Sequence, residues 1–269
     1  MLARFIELAG TARGLARREA EKLALYRLGA ERVSIEDVEA ICGNDTGSTP
    51  DELADSVFGC LAQALPGTVQ AESAGPIWIL SLYSAHGRVP PELTAKAKRF
   101  AVINMGLGGI GGRPGKDGLN TTAFPSGVGT IPIEVTETQC PLYFKRKRYL
   151  ADSGGAGQWR GGVSQAIEIA NTEDAPFAIS AATFDRIIHP AKGREGGDPG
   201  CVGSAGRGSG RKLPDKGMHI IDAGDSLLLE LPGGGGFGRP RDRDPAALVA
   251  DIADGLVSLA AARRDYGYK

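Results

Sequence analysis

"GDSLLLELPGGGGFGRP", residues 224–240, sets an apolar, strand-like run against four consecutive glycines. Backbone amides freed of side chains can cradle a phosphate, and they can equally let the chain bend. Gly233, Gly235 and Gly238 match G-x-G-x-x-G, and so do Gly106, Gly108 and Gly111. A dinucleotide fingerprint also needs a helix opening on the motif, because the first-turn amides hold the pyrophosphate. Here "RPRDRDP" follows Gly238 and "GRPGKDG" follows Gly111, so neither match has that context. The run therefore reads as a glycine-rich turn leaving a strand, with Pro240 and a capping Asp244 preparing a last helix. No G-x-x-x-x-G-K-[ST] loop supports ATP binding by this chain.

The pattern extends outward. Glycine supplies 40 of 269 residues, about twice its usual share of roughly 7%. Of these, 31 lie beyond residue 100, in short clusters between apolar runs. Segments 77–83, 131–137, 142–150, 163–170, 177–184 and 225–231 have β-like composition and follow one another without crossover helices. That order implies a mostly antiparallel sheet system. Alternation is imperfect over 144–150, which leaves that strand's buried face open.

Residues 1–65 are poorer in glycine than the rest of the chain and repeat apolar residues at helical spacing. Leu15, Leu23 and Tyr26 share one stripe, Ser34 with Asp37 forms a capping pattern, and Thr49-Pro50-Asp51-Glu52 opens a further helix carrying Leu53, Val57, Phe58, Leu61 and Leu65. A terminal helix is expected over 245–264, with Leu248, Ile252 and Leu256 on its buried face and Gly255 as a weak point. The expected class is α+β: a helical segment over 1–65, then a glycine-rich β region over 66–269 closed by that helix.

The 31 basic and 32 acidic residues nearly cancel, so no global field favours nucleic acid or an anionic membrane. Cys42, Cys60, Cys140 and Cys201 are widely spaced, and His86, His189 and His219 form no H-x-x-x-H or H-x-H pair. These spacings predict free thiols and no metal ligation by this chain alone. No apolar run approaches the ~20 residues of a membrane span, and a cytoplasmic location is expected.

Three polar stretches are candidates for chemistry. In "GGRPGKDGLN" (111–120), Arg113, Lys116 and Asp117 sit among glycines that let amides approach an anion; a β-turn through Pro114 and Asp117-Gly118 with solvated charges is the other reading. In "DSGGAGQWRGG" (152–162), Asp152 and Ser153 suit hydrogen bonds to local amides, Trp159 suits packing, and Arg160 can reach a carboxylate or a phosphate. In "TFDRIIHPAKGREGG" (183–197), Asp185, Arg186 and His189 fall close together, either as a site or as an ordinary surface loop.

From about residue 56 onward the chain resembles the C-terminal part of the hydantoinase B and 5-oxoprolinase family. The strings that carry the likeness are "VFGCLAQALPG", "GGRPGKDGLNTTAFPSGV", "IPIEVTETQCPL", "DSGGAGQWRGG", "DRIIHPAKGREGG" and "GDSLLLELPGGGGFGRPRDRDPAALVADIADGLVSLAAARRDYG". The resemblance implies one half of an ATP-dependent enzyme that opens a cyclic amide such as 5-oxoproline or a hydantoin, or that carboxylates a ketone. A hydantoinase A-type partner would bind ATP and phosphorylate the substrate oxygen; ATP and a divalent metal are implied for the full complex. Arg113, Lys116 and Arg160 are of the right type, at family-motif positions, to stabilise developing negative charge. Full-length relatives carry a further N-terminal region rich in His and Asp, so this chain is expected to be a fragment, inactive alone, or a non-catalytic interaction module. Residues 11–59 also resemble a helical segment of the DNA polymerase III clamp-loader delta subunit, which implies a possible fusion.

Overall fold

Alternating apolar residues between 78 and 230 pair into two four-stranded antiparallel sheets in a computed structural model describing residues 50–269 except 76, 126 and 215. The helical reading of residues 1–49 lies outside the described residues, as does most of the clamp-loader-like stretch. The chain divides into two compact units, Met1–Gln70 and Ala71–Lys269. In the first, α1 (Pro50–Ala64) starts at the proline that suits a first helical turn. Leu53, Val57, Phe58 and Leu61 are partly buried, while Leu65 lies past the helix end and is exposed.

In the second unit, β1 (Trp78–Ser84), β2 (Ala101–Gly106), α2 (Ile133–Gln139), β3 (Leu142–Tyr149), β4 (Gln165–Asn171), β5 (Phe177–Ser180), β6 (Ser204–Arg207), β7 (Met218–Ile221) and β8 (Ser226–Glu230) follow in order. One sheet runs β2-β1-β5-β7 and the other β3-β4-β8-β6. Strict alternation in β1 sends Trp78, Leu80 and Leu82 inward, where they share one core with Ile167, Ile169, Phe177, Ile179, Leu227 and Leu229. Trp78 stacks on Phe184 with ring centroids 4.4 Å apart and donates its Nε1–H to the Asp185 carbonyl.

The irregular pattern in β3 has a physical cause. A bulge between Phe144 and Arg146 inserts Lys145 and reverses the facing of every later residue. Most of 131–137, expected as a strand, instead lies in α2. Pro132 precedes its first turn, and Ile133, Thr136 and Cys140 turn inward at helical spacing. Thr136 occupies the stripe as a polar residue, its Oγ1 accepting from Asn104 Nδ2 at 3.1 Å, and so hides the helical period from a hydrophobicity reading.

The expected helix over 245–264 is broken. α3 (Pro245–Ala253), capped by Asp244, ends where Gly255 takes φ +69. The chain resumes as α4 (Leu259–Ala261) and a π turn over Ala262–Tyr266. Leu248, Val257, Ala261 and Ala262 make a second small core. Gly255→Ala should cost about 1 kcal/mol because a Cβ disfavours that left-handed conformation; a melting temperature lower by about 2–4 °C would show it.

The glycine run is not a turn. Gly234 donates to the Gly162 carbonyl (3.1 Å) and accepts from Gly155 N (2.8 Å). Gly235 donates to the Glu72 carbonyl (2.9 Å) and accepts from Gly112 N (2.8 Å). Gly236 donates to the Asp198 carbonyl (2.9 Å) and accepts from Arg194 N (2.9 Å). In a strand, alternate residues address the same neighbour. Here three successive residues address three different directions, the pattern of an extended segment with three residues per turn. Added Cβ atoms at Gly234, Gly235 and Gly236 would land on the carbonyl oxygens of Ile110, Lys192 and Ala156 respectively. Glycine richness is thus a packing requirement: 233–237 forms the centre of a bundle whose backbones touch directly.

Candidate functional site

Around this bundle the charged side chains of the second unit sort themselves. Arg113 and Lys116 exchange backbone hydrogen bonds of 2.9 and 3.0 Å across Pro114-Gly115, with Gly115 at φ +83, so the turn residues are Pro114 and Gly115. Asp117 is not one of them, and its partly buried charge is paired. Its two oxygens accept from Arg243 Nη1 and Nη2, both at 2.8 Å, and Oδ1 also accepts from Arg160 N at 2.7 Å. Arg243 Nη2 reaches Asp251 at 2.5 Å, and Arg160 Nε reaches the same oxygen at 3.2 Å.

Two guanidinium groups and two carboxylates therefore form a charge-balanced network, with Arg160, Arg243 and Asp251 side chains at most 8% exposed. Burial alone would raise the Asp117 carboxyl pKa. The Arg243 guanidinium hydrogen-bonded to it, helped by Arg160, more than offsets that and holds it below the ordinary carboxylate value. Tyr266, whose ring lies 6.0 Å from Arg243 Cζ, is pushed up to about 12 by burial. Arg160 meets the expectation of reaching a carboxylate.

Asp152, at φ +61, accepts from Ser258 N at 2.7 Å, so its partner is in the C-terminal segment and not local as expected. Ser153 Oγ donates to the Leu150 carbonyl and accepts from Ser164 N, a structural brace. Asp185, Arg186 and His189 do not converge. Asp185 pairs with Lys216, Arg186 donates to Glu72 Oε2 at 2.9 Å, and His189 is exposed.

Residues 117–124 connect the network to an opening. Asn120 Oδ1 accepts from Arg160 Nη1 and Val163 N at 3.3 and 3.0 Å. Next comes Thr121, a β-branched residue at φ +41, a strained conformation of the kind that collects at functional sites. Ser73, Leu107, Gly109, Thr122 and Phe124 line a small pocket of about 10 Å³ beside it, which is room for about one water.

Arg243, Asp251 and the pocket were not legible in advance. Arg243 is one of three arginines in "RPRDR", and its neighbour Arg239 is exposed and paired with Asp242. Asp251 carried one signal: it lies three residues from Leu248 on the stripe that turns inward. Among the described residues no group of three or more His, Cys, Asp and Glu side chains could hold a metal ion, and no helix is long and apolar enough to cross a membrane.

Residues 36–240 match the hydantoinase B/oxoprolinase family model, and the chain belongs to that family. The match begins twenty residues before the resemblance noted above, inside the stretch likened to the clamp loader, and that second likeness is not shown. The B-type subunit of a putative D-/L-hydantoinase from Pseudomonas sp. (strain NS671) is 28% identical over 225 residues, 80% of this chain and 35% of that protein. The beta subunit of caprolactamase from Pseudomonas jessenii is 28% identical over 242 residues, 83% of this chain and 39% of that protein. The crystal structure of ATP-dependent caprolactamase from Pseudomonas jessenii superposes with a TM-score of 0.63 at 26% identity, covering 81% of this chain and 38% of that one. The chain thus spans under two fifths of the length of these relatives.

Proposed function

We propose that this chain supplies the B-type part of an ATP-dependent enzyme that hydrolyses a cyclic amide of the 5-oxoproline or hydantoin class, together with an ATP-binding A-type partner. The family match over residues 36–240 carries this reading, and the likeness to proteins named for hydantoin and caprolactam supports it. Phosphorylating an amide oxygen and opening the ring develops negative charge, which fixed cations and amide donors stabilise. When bound by the complex, ATP supplies the phosphoryl group. In this chain Arg160 and Asp117 are turned to Arg243 and Asp251, so they brace the 111–120 loop. Lys116, exposed just after the turn, and Arg113, whose Nη2 donates to the Asp117 carbonyl at 2.7 Å, are the two cations of this loop left to meet an anionic group.

Co-expression with an A-type partner, followed by ATP-dependent ring-opening assays on 5-oxoproline, hydantoin and caprolactam, tests the proposal. Turnover requiring both chains is expected; a stable complex without turnover on any ring would refute the catalytic claim. Lys116→Ala should lower kcat/KM about tenfold, the worth of one charge-assisted hydrogen bond, with an unchanged melting temperature. A second reading, a non-catalytic interaction module, draws on one observation. Ile79, Ile103 and Met218, on the outer face of the β2-β1-β5-β7 sheet, are 39%, 52% and 46% exposed. It predicts partner binding that leaves the partner's own activity unchanged.

A further inference from the structure

The two sheets end in four edge strands, β2, β7, β3 and β6, and three of them are closed. On β3 the bulge and the basic run 145–148 interrupt the ladder, and Glu137 Oε1 accepts from Phe144 N at 2.8 Å. On β6 residues 211–213 cover the outer side, where Leu213 N donates to the Ala205 carbonyl at 3.0 Å and Arg207 N to the Arg211 carbonyl at 2.8 Å. On β7 the Ile220 carbonyl accepts from Arg207 Nη2 at 2.6 Å. Bulges, charges and covers of this kind keep a further strand from adding to a sheet.

β2 has none of them. "AVINMG" carries no charge and no proline, and its six residues pair with β1 without a bulge. Ser84 N donates to the Phe100 carbonyl at 3.0 Å, so the even-numbered residues address β1. The peptide groups of Ala101, Ile103 and Met105 therefore address the free side. Met105 N is met there by the neighbouring Asn104 Oδ1 at 2.7 Å. Ala101 and Ile103 are exposed, and no strand among the described residues pairs with that side. The side chains of 101, 103 and 105 lie on the outer face, opposite Tyr83, Ser81 and Ile79. A bare edge with apolar side chains is a template for another strand.

β2 of a second copy fits that template. Antiparallel pairing centred on Ile103 sets Ile103 against Ile103 and the small Ala101 against the large Met105, so the facing volumes match. Arg99, just before the strand, falls opposite Leu107, so no like charges meet. Parallel pairing in register would instead align Arg99 with Arg99. The other three edges of a second copy are closed by the contacts above, which leaves β2 as the strand available to β2.

We propose that β2 is a self-association edge: two copies of this chain pair β2 with β2, antiparallel about Ile103, and join their β2-β1-β5-β7 sheets into one. The proposal does not rest on the cyclic-amide reading. A single strand pair lies at the small end of specific interfaces, roughly 1,200 Å² or less. A weak dimer, with Kd on the order of micromolar, is therefore expected.

Sedimentation velocity of the full chain from about 0.1 μM to about 1 mM, a range that brackets this scale, is the test. A monomer–dimer transition is expected. Ile103→Lys sets two ammonium groups face to face on the axis and should weaken the dimer about tenfold or more, with an unchanged melting temperature in dilute solution. Ala101→Lys combined with Met105→Glu places opposite charges across the pair twice, so the double variant should still dimerise, more weakly as salt is raised. Met218→Lys, at the far edge of the same face, should leave the dimer as it is. A chain that stays monomeric to about 1 mM, whether its edge is bare or served by a strand of another protein, would overturn the proposal. So would a dimer that Ile103→Lys leaves intact, one that Met218→Lys disrupts equally, or one lost in the double variant. With no ATP, ring substrate or A-type partner present, this failure is separate from a failure of ring opening.

Discussion

Gly234→Ala is expected to melt far below the native chain. The added Cβ would land on the Ile110 carbonyl oxygen, with Gly111 N 2.8 Å away. Sliding the segment aside would break its hydrogen bonds to Gly162 and Gly155. Overpacking against side chains costs typically 1–3 kcal/mol because rotamers can shift; here the obstacle is backbone, so about 3 kcal/mol or more is expected. That corresponds to a melting temperature lower by about 6–12 °C. Gly129→Ala is the control, since nothing lies within 4 Å of its added Cβ, and its effect should stay within about 0.5 kcal/mol. Equal melting of the two variants would contradict the direct backbone packing described above.

Arg243→Met is expected to have a comparable or larger effect. It leaves Asp117 without its two-pronged partner and removes one of two guanidinium groups from Asp251. Breaking a buried pair by removing one member costs about 3–5 kcal/mol. The pH dependence gives a second readout. A carboxyl whose folded pKa lies below its unfolded value contributes stability that is present above the unfolded value, about 3.9 for Asp, and is lost as pH falls through the folded one. Asp117 is such a group. The deficit of Arg243→Met relative to the native chain should therefore be greatest near neutrality and shrink as pH falls below about 4. Denaturant unfolding at several pH values measures it, and a deficit independent of pH would remove Asp117 from the account.

How much of this was readable depends on where the physical signal resides. Alternation in "IWILSLY" and "DSLLLEL" places side chains on two faces, and the strands found there follow from it. β2, β6 and β7 escaped because Asn104 interrupts one apolar run, "SAGR" has no large apolar residue and "MHII" is four residues without strict alternation. α2 was misread because Thr136 stands in its buried stripe. The bundle carries no hydropathy signal, since its members lack the side chains on which periodicity is scored. The ionic network pairs Asp117 with Arg243 across 126 positions, a separation at which one acidic and one basic residue look like any others. What could be read was the type: Asp117 and Arg160 were picked out by charge amid glycine, and the fold gives both a bracing role.

The backbone bundle also constrains the order of events during synthesis. Its central segment, 233–237, is the last of the glycine segments to emerge, and Glu72 must wait for Gly235 to complete its contact. Until then the earlier segments lack their shared neighbour, and closing such distant contacts is slow. The first 232 of 269 residues thus leave the ribosome with the central position of the bundle still empty. Docking of one side-chain-free segment is the step that joins them.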